Sequence, residues 1–350
     1  MPSQLYHLVA FLISVIVVLL STPIVKAIGL TSGRVDLPGD RKVHDRPMVR
    51  LGGVSIFLGS LVALLVVWGL GGFGILPPHK EYEIWGVTIG GLAFFLIGLA
   101  DDLYNLSPLV RLVMQVSIAG AAWGVGVQIA FVKIPFVGIT QLPDSISLLL
   151  TVLWLVGMAN AINWIDGLDG LAAGVSGIAA VVMLIVSLFM NQPAAALIVA
   201  ALAGGALGFL RYNFNPAQIF MGDGGAYYMG FTLAGVGVIG LLKSVTTVAV
   251  LLPFLILAVP ILDMSAVIID RLRRGKSPFI ADKRHLHHRL LKAGLSHRTT
   301  VLFIYSLTLW VGSLALVVAR IPSGMVYATA ATALLIYTCW KTVLARREAN

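Results

Sequence analysis

Charged residues are scarce in this chain of 350 residues, and their scarcity excludes most fold classes. Asp, Glu, Lys and Arg make up 11% of the sequence, whereas a soluble domain carries about 25%. The sequence is 59% hydrophobic, with a mean hydropathy of +0.96, which excludes both a water-soluble globule and a disordered chain. The single cysteine, Cys339, excludes a scaffold held by disulfides. The remaining class is an integral membrane protein.

Apolar runs of about 20 residues, the length that a helix needs to cross the bilayer core, recur along the whole sequence. The first run has neither a basic n-region nor a small-residue cleavage site, so we interpret it as a span and not as a signal peptide. No long linker or internal repeat divides the chain, which predicts one all-α, polytopic domain over residues 1–350 with about eleven transmembrane helices. The runs cover residues 5–28, 51–70, 84–100, 107–127, 146–165, 171–190, 193–210, 219–241, 246–270, 300–319 and 322–341.

Basic residues are distributed unevenly between the loops. When the N-terminus is placed outside and eleven spans are threaded, nearly all of the 24 Lys and Arg fall on the cytoplasmic side. The distribution predicts an external N-terminus and a cytoplasmic C-terminus. It also accounts for most of the net charge of +9 without a nucleic-acid partner, and basic loops can contact anionic lipid headgroups. The exceptions are Lys80, Lys133, Lys243 and Arg320.

Five aspartates from three segments fall at or near span ends on this predicted cytoplasmic side. Ionised groups are costly near hydrocarbon, so such a group of acids indicates a functional site, although a single one could be a cap or a solvated end. The Asp101-Asp102 pair closes the third span, and adjacent carboxylates repel unless a cation or a raised pKa relieves them. The remaining three are Asp166, Asp169 and Asp223.

The spacing of the polar residues in segment 160–170 predicts a stripe of oxygens. Asp166 and Asp169 are three residues apart and would share one helix face with Asn160 and Asn163. Asp223 lies in a Gly-rich turn that opens the eighth span, where backbone N–H groups suit a phosphate. Hard oxygen ligands without many nitrogen or sulfur donors predict Mg²⁺ or Mn²⁺ rather than zinc.

The last cytoplasmic loop contains three of the seven histidines within four residues, at His285, His287 and His288. A zinc cluster is one interpretation, but the loop has no cysteine, and basic neighbours such as Arg271 and Arg274 repel a metal and attract phosphates. We therefore favour phosphate binding. The loop of residues 31–50, which contains Asp40 to His44, is a second basic segment on the same side and a candidate substrate contact, although topology alone would explain its charge.

Carboxylates, a divalent cation and an Arg/His cluster at one membrane surface are the groups that phosphoryl transfer requires. A lipid substrate would explain why the site is built at span ends. An ion-coupled transporter is a remote alternative, because its acids would lie near the middle of interrupted spans. A scaffolding membrane protein leaves the paired aspartates and the histidine loop unexplained.

Five blocks of the sequence, in order, resemble the polyprenyl-phosphate N-acetylhexosamine-1-phosphate transferase superfamily (the glycosyltransferase 4 family), and within it the bacterial WecA/TagO type. Each block alone is a weak signal, whereas the five in order, at span ends on one side, are specific. The resemblance covers nearly the whole chain. The blocks are Pro47 to Gly53, the Asp101-Asp102 pair, Asn160 to Gly170, Phe220 to Gly224, and His285 to His288.

The resemblance implies a multi-pass protein of the bacterial inner membrane that transfers N-acetylhexosamine-1-phosphate from a UDP-sugar, such as UDP-GlcNAc, to undecaprenyl phosphate with Mg²⁺ or Mn²⁺. Dimers are common in the superfamily, so a homodimer is possible. The implied roles are metal binding by Asp223 and Asp101, lipid-phosphate activation or positioning by Asp101 and Asp102, nucleotide-sugar contacts by Asp166, Asp169, Asn160 and Asn163, and diphosphate or sugar contacts by His285, His287, His288, Arg271 and Arg274.

Two features bear on the donor sugar. The branch that transfers phospho-MurNAc-pentapeptide usually has a lysine shortly after the paired aspartates and a His-His-His loop. Here residues 103–106 contain no lysine and the loop reads His-Leu-His-His, which favours a plain N-acetylhexosamine and leaves the muropeptide branch as the alternative. Arg111 could supply the missing positive charge. Because a phosphate monoester is mostly dianionic at pH 7, the lipid phosphate needs positioning more than a general base.

Overall fold

The structure is a computed structural model that describes residues 3–33, 35–36, 47–74, 76, 78–134, 138–241, 247–275 and 284–349. Of the 31–50 loop, residues 34 and 37–46 lie outside the described residues. Helices dominate the described chain, as the apolar runs predict. They are α1 (Ser3–Thr31), α2 (Gly52–Gly69), α3 (Pro78–Tyr104), α4 (Pro108–Gly124), α5 (Asp144–Ile165), α6 (Leu171–Phe189), α7 (Pro193–Asn213), α8 (Gly222–Val236), α9 (Thr247–Ile256), α10 (Ala258–Arg273), α11 (Leu286–Lys292), α12 (His297–Val318) and α13 (Gly324–Ala349).

Eight of the helices in the described part of the chain are long and apolar enough to cross a membrane. These are α1, α2, α3, α5, α6, α7, α12 and α8 together with the π-helical segment that extends it, Gly237–Leu241. With 17, 10 and 16 residues, α4, α9 and α10 are shorter than the usual span. The structure is therefore that of a polytopic α-helical protein, while the count of eleven spans and the orientation stay predictions.

Two departures from a purely helical chain are visible. Short antiparallel pairs join β1 (Val35–Asp36) to β2 (Met48–Val49), and β3 (Phe131–Ile134) to β4 (Gly138–Gln141). The ninth apolar run is also divided, since α9 ends at Ile256 and α10 begins at Ala258. Pro260 cannot donate a backbone hydrogen bond to the carbonyl of Ile256, which accounts for an interruption at this point.

Helix α8 is the centre of the bundle, packed against α2, α3 and α5. Every residue of α8 is buried except Asp223 in its first turn. Close packing at this end depends on glycine, because a side chain on Gly98 of α3 would overlap the backbone of Asp223, and one on Gly53 of α2 would overlap Gly225. The first turn of α8 is thereby brought directly against the start of α2 and the end of α3.

Residues 47–53 and 219–225, which are far apart in sequence, are hydrogen-bonded to each other. The amide of Phe220 donates to the carbonyl of Val49 at 2.9 Å, and Gly52 donates back to the carbonyl of Phe220 at 2.9 Å. Gly53 then donates to the carbonyl of Met221 at 2.7 Å. Arg50 lies between Val49 and Gly52, so these bonds fix its backbone beside the start of α8.

Candidate active site

The acids of α3 and α8 meet at one end of the bundle. Asp101 and Asp102 lie in the last turn of α3, and Asp223 lies in the first turn of α8, as the sequence predicts. Arg111 of α4 forms an ion pair with Asp101 and lies 3.6 Å from Asp223. Arg111 therefore does supply positive charge next to the acids.

Asp223 is the most highly connected of the three acids. Its Oδ1 accepts a hydrogen bond from Asn163 Nδ2 at 2.9 Å and lies 3.4 Å from the Nη2 of Arg50. Its Oδ2 is the oxygen that faces Arg111. The side chain is 19% exposed, so an amide and two guanidinium groups hold the carboxylate while leaving it open to a ligand.

Asp102 is more deeply placed, with a side chain only 3% exposed. Its Oδ2 accepts a hydrogen bond from the backbone N–H of Gly224 at 3.1 Å, and its Oδ1 lies 3.6 Å from the Nε of Arg50. That Oδ1 is buried and accepts no hydrogen bond from any described residue. A buried carboxylate oxygen without a donor is costly, so this atom is open to a further cation or donor.

The prediction that residues 160–170 form one continuous helix face is wrong, because α5 ends at Ile165. Residues 166–170 form a turn, in which Gly170 has a φ of +78° before α6 begins, so Asp166 and Asp169 do not continue a helix face. Of the two asparagines on α5, Asn163 points to the acids. Asn160 instead donates to Gln115 Oε1 at 2.7 Å and to the carbonyl of Val156 at 2.8 Å.

Asp169 forms hydrogen bonds that hold this turn in place. Its Oδ2 accepts hydrogen bonds from Asn215 Nδ2 at 2.9 Å and from the backbone N–H of Ala217 at 3.0 Å. Its own N–H donates to His297 Nε2 at 2.8 Å. Asp169 therefore ties the α5–α6 turn to the loop after α7 and to the start of α12, and the structure does not bring its carboxylate to the metal-candidate acids.

Asp166 occupies a different environment from Asp169. Burial raises its pKa to about 7, and the negative charges of Asp223, Asp102 and Asp169 add to that effect, while Arg50 opposes it. The carboxyl group is therefore partly protonated at neutral pH and can act there as a hydrogen-bond donor as well as an acceptor. Its position after the last turn of α5 keeps it within the electrostatic reach of the acid cluster.

The three histidines lie at the start of α11, where their rings contact one another in series. The rings of His285 and His287 are nearly parallel with centroids 5.8 Å apart, and His288 follows at 4.2 Å from His287. His287 packs against the Cα of Gly167, with its Nε2 buried and without a described partner. Burial, with the nearby His288 and His285, lowers the pKa of His287 to about 3, so this ring is neutral.

The two arginines predicted as phosphate contacts have different positions. The guanidinium of Arg271 is buried and lies over the ring of Trp164, 5.2 Å from its centroid. Arg274 is exposed and pairs with Asp270 at 3.0 Å, one turn earlier on α10. Trp164 follows Asn163, which donates a hydrogen bond to Asp223. Arg271, but not Arg274, is therefore linked to the acids through contacts with neighbouring residues of α5.

A divalent cation fits the chemistry of the acid cluster. Asp101 and Asp223 supply hard carboxylate oxygens, and Asp102 Oδ1 lacks a donor. Within the described ranges, no group of three or more Asp, Glu, His or Cys side chains is arranged to hold a metal ion by itself. Mg²⁺ does not require one, because it is usually held by one or two carboxylates together with water and substrate phosphates.

Arg50 and Asp263 are absent from the residues that the sequence patterns assign to the site. Arg50 belongs to the Pro47 to Gly53 block, whose presence in the resemblance was a usable signal, but only the pairing with residues 219–221 brings it to Asp102 and Asp223. Asp263 lies inside the ninth apolar run, far in the sequence from the predicted site acids. Its two hydrogen bonds, to His285 and to the N–H of Leu286, depend on how α10 and α11 pack.

Comparison with known proteins gives a match to one family model and to several relatives. Residues 84–241 match the model for glycosyl transferase family 4. A relative from Bacillus subtilis (strain 168), named a probable undecaprenyl-phosphate N-acetylglucosaminyl 1-phosphate transferase, is 40% identical over 297 residues, which are 85% of this chain and 80% of the relative. A decaprenyl-phosphate N-acetylglucosaminephosphotransferase from Mycobacterium leprae (strain TN) is 36% identical over 317 residues, covering 82% of this chain and 77% of the relative.

A third relative, more distant, carries a closely related name. The undecaprenyl-phosphate alpha-N-acetylglucosaminyl 1-phosphate transferase of Salmonella typhi is 30% identical over 308 residues, which are 84% of this chain and 78% of the relative. Each alignment extends well beyond the segment matched by the family model, and the chain spans more than three quarters of each relative. The chain therefore belongs to glycosyl transferase family 4.

Proposed function

We propose that this protein transfers N-acetylglucosamine-1-phosphate from UDP-GlcNAc to undecaprenyl phosphate in the bacterial inner membrane. An oxygen of the lipid phosphate attacks the β-phosphorus of the nucleotide sugar, and the bond between that phosphorus and the bridging oxygen breaks. The bridging oxygen leaves with its electron pair as part of UMP. The product is a lipid-diphosphate-sugar of the kind that initiates a cell-envelope polysaccharide.

One observation carries the proposal most directly. Three carboxylates from two helices and two arginines from two further segments meet at one end of a bundle in which the described residues form eight candidate spans. Phosphoryl transfer depends on positioning and on charge stabilisation far more than on covalent chemistry by the protein. A lipid phosphate at the membrane surface could reach such a site while its chain stays in the bilayer. The names of the relatives support the same substrates.

The arginines are assigned to the phosphates. Arg50 and Arg111 each lie within 3.6 Å of two carboxylates, and guanidinium groups bind phosphate oxygens through paired donors. We assign them to the oxygens around the reacting phosphorus, where negative charge is spread in the transition state. The partly open side of Asp223 leaves room for the substrate between these groups.

The acids are assigned to metal binding and to orientation of the nucleophile. Asp223 and Asp101 would hold Mg²⁺ or Mn²⁺, which supplies neutralisation of phosphate charge when bound. Asp102 would position the lipid phosphate beside Arg50. No strong base is needed, since a phosphate monoester is mostly dianionic at pH 7. Asp166, with its raised pKa, is assigned to a hydrogen bond with the nucleotide sugar.

The donor sugar is the finer part of the proposal. The absence of a lysine in residues 103–106 and the His-Leu-His-His order favour a plain N-acetylhexosamine over MurNAc-pentapeptide. The ion pair between Arg111 and Asp101 supports this choice, because it provides next to the paired aspartates the positive charge that the missing lysine would otherwise supply.

A transfer assay with purified protein tests the proposal. The protein in detergent is mixed with undecaprenyl phosphate, Mg²⁺ and radiolabelled UDP-GlcNAc, and label in the organic phase is measured together with UMP. We expect both to appear in equal amounts, with Asp223→Asn as the inactive control. Transfer from UDP-MurNAc-pentapeptide but not from UDP-GlcNAc would overturn the donor assignment. No transfer from any UDP-sugar by intact protein would overturn the reaction.

A further inference from the structure

Asp263 is a buried acid that the proposed reaction leaves without a role. It lies on α10, in the interior of the ninth apolar run, and is only 8% exposed. A buried carboxylate is retained only when its oxygens are fully used. Its Oδ1 accepts the backbone N–H of Leu286 at 2.7 Å, and its Oδ2 lies 2.8 Å from Nδ1 of His285. Both oxygens therefore face the first residues of α11.

The contact with Asp263 determines which ring nitrogen of His285 carries the hydrogen. A carboxylate can only accept, so the hydrogen of the 2.8 Å contact belongs to Nδ1 of the imidazole. The other ring nitrogen, Nε2, forms no hydrogen bond to any described residue. Nε2 is consequently the atom through which His285 can act on a ligand.

The ring of His285 is also fixed in direction. Trp164 contacts it edge to face with centroids 5.8 Å apart, and His287 stacks on it at 5.8 Å with an angle of 8° between the ring planes. His285 itself is 6% exposed, so the ring has little freedom to turn. Trp164 follows Asn163, whose amide donates to Asp223. The clamped imidazole is thus joined to the acid cluster through two consecutive residues of α5.

His287 provides an internal comparison. It belongs to the same turn of α11 and is even more buried, yet no carboxylate contacts its ring among the hydrogen bonds and ion pairs of the described residues. Its environment keeps the ring neutral, with a pKa lowered by burial to about 3. The two stacked rings therefore differ in what they can contribute, and only one of them is oriented by an acid.

We propose that Asp263 is a positioning residue that holds His285 as its Nδ1–H form and directs Nε2 to a phosphate oxygen of the nucleotide sugar. The inference rests on the proposed function, which it deepens by separating the roles of the histidines. In this form Nε2 carries a lone pair and a phosphate oxygen only accepts, so binding of the phosphate takes up one proton from water onto Nε2. The resulting imidazolium lies between two anions, the carboxylate and the phosphate. Charge-assisted hydrogen bonds of this kind are about twice as strong as neutral ones.

Asp263→Asn breaks the arrangement for a definite reason. Asparagine has one acceptor oxygen, and the native residue uses two. If its oxygen faces Leu286 N–H, its amide N–H₂ faces Nδ1, which must then accept, so the ring can meet the phosphate only as a neutral Nε2–H donor and not as an imidazolium. If the amide is turned round, two N–H groups oppose each other at Leu286. Either orientation also removes the negative charge behind the ring.

A double-mutant cycle separates positioning from a merely structural role. The kcat/KM for UDP-GlcNAc is measured for the wild type, Asp263→Asn, His285→Ala and the double variant, all in the transfer assay. We expect Asp263→Asn to lose about 10- to 100-fold, mostly in kcat, and to change activity less than about 2-fold when His285 is already alanine. Asp144→Asn, at the opposite end of α5, is the matched carboxylate-to-amide control and should retain activity.

Two results would overturn the inference. The first is an activity loss for Asp263→Asn that multiplies with that of His285→Ala. The second comes from the wild-type protein labelled with ¹⁵N-histidine, in which the signal lost in His285→Ala identifies His285. A hydrogen on Nε2 alone would contradict the proposed orientation, whereas a hydrogen on Nδ1 supports it. This spectrum needs no turnover, so a protein without transferase activity would refute the proposed function and leave the orientation of His285 separately testable.

Discussion

Replacing Gly230 by alanine would force apart helices α5 and α8, which place Asn163 beside Asp223. A methyl group on Gly230 of α8 would lie 2.6 Å from the Cα of Ala159 and 2.6 Å from the carbonyl oxygen of Met158, both on α5. These are backbone atoms, which cannot swing away as the end of a flexible side chain can. Ordinary contact begins at 3.4 Å, so α5 and α8 must separate locally by roughly 0.8 Å in this close-packed interior.

That separation reaches the site through Asn163. Its amide is 2.9 Å from Asp223 Oδ1, and a displacement of this size would stretch the contact to roughly 3.7 Å, beyond the range of a hydrogen bond. We expect overpacking to cost about 1–3 kcal/mol of stability. Transfer from UDP-GlcNAc should fall about 10- to 100-fold, because catalysis is sensitive to misplacement of about 1 Å.

Gly157→Ala is the matched control, since Gly157 lies on the same helix α5 and a methyl group there meets nothing within 4 Å. Alanine is the better helix former by about 1 kcal/mol, so this variant should be as stable as the wild type or more so, with full activity. Thermal unfolding in detergent and the transfer assay are measured on both variants. Equal activity of Gly230→Ala and Gly157→Ala would refute the reasoning that α5–α8 packing sets the position of Asp223.

Three further outcomes follow from the contacts at the site. Asp223→Asn should abolish transfer while the protein still folds and inserts, as judged by its yield in membranes and its elution as a single species; unchanged turnover would remove Asp223 from the site. Arg111→Lys should lower kcat/KM about 10-fold, because the ammonium keeps the charge but loses the planar fork toward Asp101 and phosphate, and wild-type kinetics would contradict that role. His287 binds a proton in the unfolded chain near pH 6.5 but in the folded chain only near pH 3. The free energy of unfolding should therefore fall by about 1.4 kcal/mol for each pH unit between these values as the pH is lowered. His287→Gln should unfold with a weaker dependence on acid pH, and an unchanged dependence would show that another group is responsible.

The sequence predicts the helices well because membrane spans carry a strong and simple signal. Each apolar run coincides with a helix or with a consecutive pair of helical segments. Breaks within a run are harder to predict, since they depend on where neighbouring helices compensate for a lost backbone bond. Pro253 lies inside α9, whereas the helix is interrupted three residues before Pro260. The short helix α11 lies in a basic loop and has no apolar run to announce it.

The acid cluster was partly predictable for a different reason. Polar residues at span ends are few, so Asp101, Asp102 and Asp223 could be identified before their contacts were known. Periodicity failed at residues 166–170, where a turn replaces the expected helix and Asp169 becomes a structural tie to Asn215. The contributions of Arg50 and Asp263 could not be predicted, because each depends on pairing between segments that are distant or that meet only after packing.

The balance of charge at the acid cluster leads to the last prediction, that turnover requires a divalent cation. Asp101, Asp102 and Asp223 are opposed by two guanidinium groups, those of Arg50 and Arg111. The proposed substrates add the charges of a diphosphate and of a phosphate monoester that is mostly dianionic at pH 7. Like charges about 4 Å apart repel by about 4 kcal/mol at an effective dielectric constant of about 20. The positive charges of two arginines cannot offset the combined repulsion among the three acids and the substrate phosphates.

We therefore expect EDTA to stop transfer, and Mg²⁺ or Mn²⁺ to restore it. Binding of Mn²⁺, measured by electron paramagnetic resonance in the presence of the UDP-sugar, should weaken at least 10-fold in Asp223→Asn and in Asp101→Asn. Asp169→Asn is the discriminating control, because the Asp169 carboxylate is already occupied by Asn215 and Ala217 and its loss should leave Mn²⁺ affinity unchanged. Full activity in EDTA would mean that Arg50 and Arg111 neutralise the phosphates unaided. Weakening in Asp169→Asn equal to that in Asp223→Asn would move the metal to the α5–α6 turn.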